Sequence, residues 1–162
     1  MNDAASRPVG PTDLYHVGIV TPDLEAGMVR FSQLLGIRWG PVFEVDTDVR
    51  TADGEVRTVT MRLSYSIDQP HLELVQEIEG TPWVCNPYSN LHHLGFWTGA
   101  LEGRSAGLSS SVCPLEVCGA GDATGPRSFA YHRDPLGVRV ELVDDAIRGG
   151  MESLWSGLAA DG

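Results

Sequence analysis

The chain has 162 residues, a formal net charge of −11 and no lysine, its eleven basic residues all being arginine. The missing amine excludes Schiff-base chemistry and P-loop phosphate binding, and the acidity argues against nonspecific nucleic-acid binding and against an anionic membrane surface as partner. A hydrophobic share of 42% with 20% charged residues is that of a folded domain long enough to bury a core, and no apolar run approaches the ~20 residues of a transmembrane helix.

Residues 1–12 read as a flexible arm; Met1 to Pro8 carries no apolar stretch of the kind a secretory signal needs. A first unit, residues 13–79, opens on the short β-branched strand Leu14 to Val20. Thr21-Pro22-Asp23 breaks the strand and offers a helix N-cap. Leu24, Met28, Phe31, Leu34 and Leu35 then recur at helical spacing up to Gly36. Ile37 to Val45 and Val56 to Ser66 are predicted strands around a polar loop, Asp46 to Glu55, with Asp53-Gly54 as its turn. Pro70 to Gln76 is the last strand of the unit, and residues 80–90 form a turn-rich connector.

The second unit, residues 91–145, runs from a strand at Leu91 to Thr98 into a helix from about Leu101 to Leu108. Strands follow near Val112 to Val117 and Ser128 to Arg133, then the turn Asp134-Pro135-Leu136-Gly137 and a final strand, Val138 to Val143. The glycine-rich span Gly119 to Gly125 reads as a mobile loop. Residues 146–162 form a tail in which Ile147 to Leu158 is helical, with Met151, Leu154 and Trp155 on one side for packing or a dimer contact. Cys85, Cys113 and Cys118 are odd in number and lack zinc spacing, which points to reduced thiols and a cytoplasmic setting.

The two units echo each other. Tyr15-His16-Val17-Gly18-Ile19 returns as His92-His93-Leu94-Gly95-Phe96, and His71-Leu72-Glu73-Leu74-Val75 as Arg139-Val140-Glu141-Leu142-Val143. From histidine to glutamate is 57 residues in the first copy and 48 in the second, the size of a duplicated module and not of a solenoid repeat. Strand alternation puts His16, Gly18 and Val20 on one face, His93, Gly95 and Trp97 on another, and aligns Glu73 with His71 and Glu141 with Arg139. Leu72, Leu74, Val140 and Leu142 are left to pack against the helices. The glycine two residues after each histidine opens space beside it.

A glutamate buried between Leu and Val is costly unless it is paired or bound to a cation. Two histidines and two glutamates repeating in this way suggest one shared divalent ion with one or two open positions. The alternative is a set of hydrogen-bonded core histidines with glutamates on solvated sheet faces.

These motifs, in this order, resemble the βαβββ modules of the vicinal oxygen chelate superfamily. That superfamily includes glyoxalase I, methylmalonyl-CoA epimerase, extradiol dioxygenases, and the bleomycin- and fosfomycin-resistance proteins. The resemblance runs from about Leu14 to Asp144 and includes Asp134-Pro135-Leu136-Gly137-Val138-Arg139-Val140-Glu141-Leu142. It implies an α+β fold of two tandem βαβββ modules whose mixed sheet curves around a metal-containing cavity. It also implies that His16, Glu73, His93 and Glu141 hold one divalent ion (Fe, Ni, Co, Zn, Mn or Mg), and that the protein is a homodimer. The register with His16 selects His93 over His92.

Lewis-acid activation of a small carbonyl substrate, with a ligating glutamate as base, follows from the resemblance; Glu141 is the first candidate and Glu73 the second. The function so implied is that of a metal-dependent isomerase or lyase. A non-catalytic binder of a small molecule or antibiotic and an extradiol-type dioxygenase are the alternatives. Other residues are candidates to touch the substrate. Arg139 can meet a carboxylate or form a salt bridge. His71 can carry a proton or sit at an exposed edge. Trp97 can form an apolar wall, and one of the neighbours Tyr131 and His132 can face the cavity. Thr60 lies near the position where the epimerase branch carries a second catalytic glutamate, so an acid is missing there.

Overall fold

Each strand–helix pair begins from a local signal. Leu14–Thr21 forms β1, and Asp23 then caps α1, Leu24–Leu35, its carboxylate accepting from the Ala26 amide at 2.8 Å. Gly36, at φ 69°, ends the helix in the left-handed conformation. In this computed structural model, which describes residues 9–121 and 125–159, three strands follow: β2 (Phe43–Thr51), β3 (Val56–Tyr65) and β4 (His71–Gln76). The second half repeats the order with β5 (Leu91–Thr98), α2 (Leu101–Ser110), β6 (Leu115–Gly119), β7 (Phe129–Arg133) and β8 (Arg139–Asp144). A final helix, α3 (Arg148–Ala159), follows a short turn. The expected arm up to residue 8, residues 122–124 of the glycine-rich span and the side chain of Leu154 lie outside the described residues.

The fold is α+β, with eight strands in the closed order β1-β4-β3-β2-β6-β7-β8-β5. Within each half the histidine strand runs parallel to the glutamate strand, β1 beside β4 and β5 beside β8. The halves join through antiparallel β1–β5 and β2–β6 pairs. This connection sets Gly18 opposite Glu73 and His93, and Gly95 opposite Glu141 and His16. The outward leucines do pack against the helices: Leu24 of α1 and Leu74 of β4 are fully buried, as is Leu142 of β8 in a cluster with Leu101 of α2.

Two expectations shift. The predicted loop Asp46 to Glu55 is largely strand, because β2 begins only at Phe43 and runs to Thr51. Its Asp46 and Asp48 each accept a hydrogen bond at 2.6 Å from Thr60 and Thr58 across the ladder. Acidic composition hid a strand whose polar face is satisfied by its neighbour. On α1, Leu34 and Leu35 are 63% and 62% exposed, so the buried stripe stops near Phe31, which meets Trp39 edge to face.

Candidate metal centre and cavity

His16, Glu73 and His93 bring one ligand atom each to within 4.8 Å of one another, and Glu141 joins them. The ring nitrogens His16 Nε2 and His93 Nε2 are 2.8 Å apart. Glu73 Oε2 lies 3.6 and 3.0 Å from them, and Glu141 Oε2 lies 3.1 and 3.3 Å from them. Neighbouring donors around one first-row ion, each at ~2.0–2.2 Å, stand roughly 3 Å apart, so this spacing fits a shared cation. All four side chains are buried, and Glu73 Oε2 and Glu141 Oε2 make no hydrogen bond. Two such carboxylate oxygens need a positive charge beside them.

The electrostatics carry the same message. Burial alone pushes the Glu73 and Glu141 carboxyls up, but His16 and His93 outweigh it and hold both below the usual carboxylate range. Burial alone would lower the His93 pKa, yet Glu141 and Glu73 raise it to about 9. A proton on His93 answers a demand that a divalent ion would also meet.

The glycine pattern has a reciprocal cause. A Cβ on Gly18 would stand 1.9 Å from the His93 ring, and a Cβ on Gly95 would stand 1.9 Å from the His16 ring. Each module's glycine thus makes room for the other module's imidazole.

His92, read in the sequence only as the ring not chosen, supports its neighbour. Its Nε2 donates to the Pro82 carbonyl at 2.8 Å, and its Nδ1 lies 2.9 Å from His93 Nδ1. Burial, Arg139 and His93 lower the His92 pKa to about 4, so His92 is neutral and its Nδ1 accepts. His93 Nδ1 therefore carries the proton, which leaves the Nε2 lone pair of a neutral His93 for a cation.

Above the donors opens a cavity of about 460 Å³ with Glu73 and Glu141 in its lining. Its walls are Phe43, Val45 and Thr47 of β2, Met61, Leu63 and Tyr65 of β3, and Phe129 and Tyr131 of β7. Ile147 and Met151, from the C-terminal helical segment, border it. Tyr65 donates to Glu73 Oε1 at 2.5 Å, and Tyr131 is the ladder partner of Glu141 as Tyr65 is of Glu73. Tyr65 was missed in the sequence, although it precedes its glutamate across a hairpin as Tyr131 does. Tyr15 was missed too, because strict alternation turns it toward the helix. An irregular register between Leu14 and His16 lets it line the cavity instead, stacked on Trp97 at 3.9 Å. Burial, reinforced by Glu141 and Glu73, raises the pKa of all three tyrosines, which stay neutral donors.

Of the residues expected to touch a substrate, Tyr131 faces the cavity and the others lie elsewhere. His132, on the opposite strand face, meets Ser105 of α2 at 3.0 Å and the Cys113 carbonyl at 2.9 Å. Thr60 points outward to Asp46, since Met61 and Leu63 take the inner positions. Arg139 is bound by Glu116 at 2.6 and 2.9 Å. Trp97 stands behind Tyr15 and, with His71, lines a separate cavity next to His16. His71 Nδ1 donates to the Ser66 carbonyl at 2.8 Å, and the ring stacks on Trp155 at 4.0 Å.

A barrel of paired βαβββ halves with two His–Glu pairs at its seam defines a class, and the family comparison agrees. Residues 15–131 match the model of the glyoxalase/bleomycin resistance protein/dioxygenase superfamily, and the chain belongs to it. No curated protein sequence matches the chain. Among solved structures it is similar to methylmalonyl-CoA epimerase in complex with methylmalonyl-CoA and NH4+ (19% identity, 83% of this chain and 94% of that one, TM-score 0.56). A Streptomyces coelicolor methylmalonyl-CoA epimerase variant in complex with 2-nitronate-propionyl-CoA gives the same figures, 19%, 83%, 94% and 0.56. A hypothetical protein from Bacillus halodurans is similar at 12% identity over 82% of this chain and 93% of that one, with a TM-score of 0.58. At these identities the likeness is one of fold. Among the described residues, no helix is long and apolar enough to cross a membrane.

Proposed function

We propose that the chain is a divalent-metal-dependent isomerase or lyase that removes a proton next to a carbonyl of a small molecule. The observation that supports this most is the convergence of four buried donors, His16, Glu73, His93 and Glu141, beneath an apolar cavity that both carboxylates line. A divalent ion held by these four would supply Lewis-acid polarisation of adjacent substrate oxygens, acidifying the neighbouring C–H. Glu141, kept ionised by the histidines, takes the proton; it is the more exposed of the two, its side chain 8% accessible against 5% for Glu73. Glu73 is steadied by Tyr65 and serves as the second candidate. The largely apolar walls would offer water few partners beside the reacting carbon, and the neutral phenols of Tyr15 and Tyr131 can donate to substrate oxygens.

The cavity-lining carboxylates among the described residues are Glu44, Glu73 and Glu141, and Glu44 is exposed and held by Arg62 at 3.0 Å. A reaction with one base side suits this arrangement better than epimerisation between two opposed bases. All four donors come from one chain, so a homodimer would add nothing to the centre. The test is elemental analysis of protein prepared without chelator, together with deuterium uptake by α-hydroxyketones in heavy water. Stoichiometric divalent metal and exchange that falls at least ~100-fold in Glu141→Gln support the reading. Metal-free protein that gains no stability from any divalent ion overturns it, and bound ligand without exchange favours a binder.

A further inference from the structure

The chemistry of the cavity wall narrows the substrate. Above the carboxylates the wall is mostly carbon, from Phe43, Val45, Met61, Leu63, Phe129 and Val143, with the hydroxyls of Thr47 and Ser128 among them. Among the described residues, no arginine or histidine lines this cavity, and the chain has no lysine. Three guanidinium groups around the barrel are committed elsewhere. Arg62 holds Glu25 and Glu44 on the outer face, Arg139 holds Glu116, and Arg148 holds Glu152. The one charged residue on the wall away from the centre is the acid Glu44.

An anionic substrate would have to leave water for this wall with no cation to receive it, an unfavourable transfer. It would also approach a protein of net charge −11, whose long-range field opposes anions. A phosphate-bearing carrier such as an acyl-CoA meets the second penalty, and a free carboxylate on its acyl group meets the first. A neutral molecule with an aromatic or aliphatic body meets neither, and a cavity of about 460 Å³ lies within the usual ~300–1,000 Å³ for one small-molecule ligand.

We propose that the substrate is a neutral, largely apolar molecule, aromatic or alicyclic, that carries its two vicinal oxygens at one end and buries its carbon body between β2, β3 and β7. The chelating end rests on the proposed function; the carbon body rests on the wall alone. Such a molecule enters oxygens first, its body filling the apolar upper cavity with Ile147 and Met151 bordering its trailing edge.

Calorimetric titration of the metal-loaded protein with three probes tests this. 2-Hydroxyacetophenone is a neutral aromatic α-hydroxyketone with its oxygen pair at one end, acetoin carries the same oxygen pair without the ring, and methylmalonyl-CoA carries anionic groups. 2-Hydroxyacetophenone is expected to bind ~100-fold more tightly than acetoin, the effect of burying on the order of 100 Å² of apolar surface, and methylmalonyl-CoA more weakly than 2-hydroxyacetophenone. Thr47→Arg, which puts a cation at a partly buried position on the wall, should lower 2-hydroxyacetophenone affinity at least ~10-fold; Thr47→Val, a control for the fold, should not. Acetoin binding as tightly as 2-hydroxyacetophenone, or methylmalonyl-CoA binding more tightly, overturns the proposal. Repeating the titration on chelator-treated protein separates the two readings. A preference for 2-hydroxyacetophenone over acetoin that persists while no metal binds at all sinks the metal-dependent function and leaves the substrate class standing.

Discussion

The two halves of the barrel supply the same ligands on different supports. In the second half, His93 is braced from behind by His92, itself fixed to the Pro82 carbonyl. In the first half, the corresponding nitrogen of His16, Nδ1, is buried without a hydrogen bond. The residue two before each glutamate also differs: His71 stacks on Trp155, whereas Arg139 ties down Glu116. Duplication kept what touches the centre and let the scaffold behind it diverge. The braced second half should therefore be the stiffer jaw, and the first the one with room to adjust.

The largest effect should come from breaking the reciprocal glycines. An added methyl at Gly18 strikes the braced His93 ring, and one at Gly95 strikes the His16 ring. Both Gly18→Ala and Gly95→Ala should weaken metal binding, with Gly18→Ala losing ~100-fold or more and Gly95→Ala less, because His16 has no hydrogen bond at Nδ1 to give up. Competition with a chromogenic chelator reads the affinities, and circular dichroism checks the fold. Equal losses would show that the two jaws are equally stiff.

His92 offers a gentler way to sharpen the same contrast. His92→Phe removes the acceptor that fixes the His93 tautomer and should cost ~10-fold in metal affinity. His92→Gln, whose amide oxygen can accept from His93 Nδ1, should recover part of it. No counterpart exists at Tyr15, the residue before His16, which stacks on Trp97 and does not hold the ring nitrogen. An unchanged affinity in His92→Phe would mean that the backbone alone positions His93.

The helices differ in the same sense, at a scale of stability. Asp23 caps α1 with its carboxylate, while Ala100 at the start of α2 offers no side-chain cap. Asp23→Ala should cost ~1 kcal/mol in urea unfolding, and Ala100→Asp should add up to that amount. A null result for Asp23→Ala would show that Leu24 and Gly27, buried against β4, hold α1 without its cap.

Much of this was legible in the sequence because duplication wrote it twice. The H-x-G and E-L-V echoes singled out the four side chains that converge, and alternation placed them on one inner face. What the sequence hid depends on departures from that regularity. A register shift turned Tyr15 inward against its alternation. β2 carries acids that look like loop until their threonine partners on β3 are seen. The expected substrate contacts of Arg139 and His132 dissolved for a related reason: each has a partner distant in sequence, Glu116 or Ser105 with Cys113, that consumes its polar atoms. Residue type and strand face do not reveal such partners.

The smallest expected effect concerns His132 and the attachment of α2. The Cys113 carbonyl can only accept, so His132 Nδ1 carries the proton, and Nε2 accepts from the Ser105 hydroxyl. The ring is therefore neutral in the fold, and burial, only partly opposed by the Cys113 carbonyl, lowers its pKa. A histidine whose pKa is lower folded than unfolded takes up protons more readily when unfolded. Its contribution to stability is complete above the unfolded value of about 6.5 and declines as pH falls from there toward the folded value. The histidine at the end of β3's neighbour, His71, bonds the Ser66 carbonyl and is likewise lowered by burial, but it stacks on Trp155 of α3, so its titration loads α3 and not α1. Acidification from about pH 7.5 to about pH 5.5 should thus loosen α2 before α1. Amide exchange should rise first in Leu101–Ser110, while Leu24–Leu35 stays protected. His132→Gln should flatten that difference, since the amide can replace both hydrogen bonds without titrating. Loss of protection in α1 first, or a difference that persists in His132→Gln, would place the acid-sensitive contact elsewhere in the barrel.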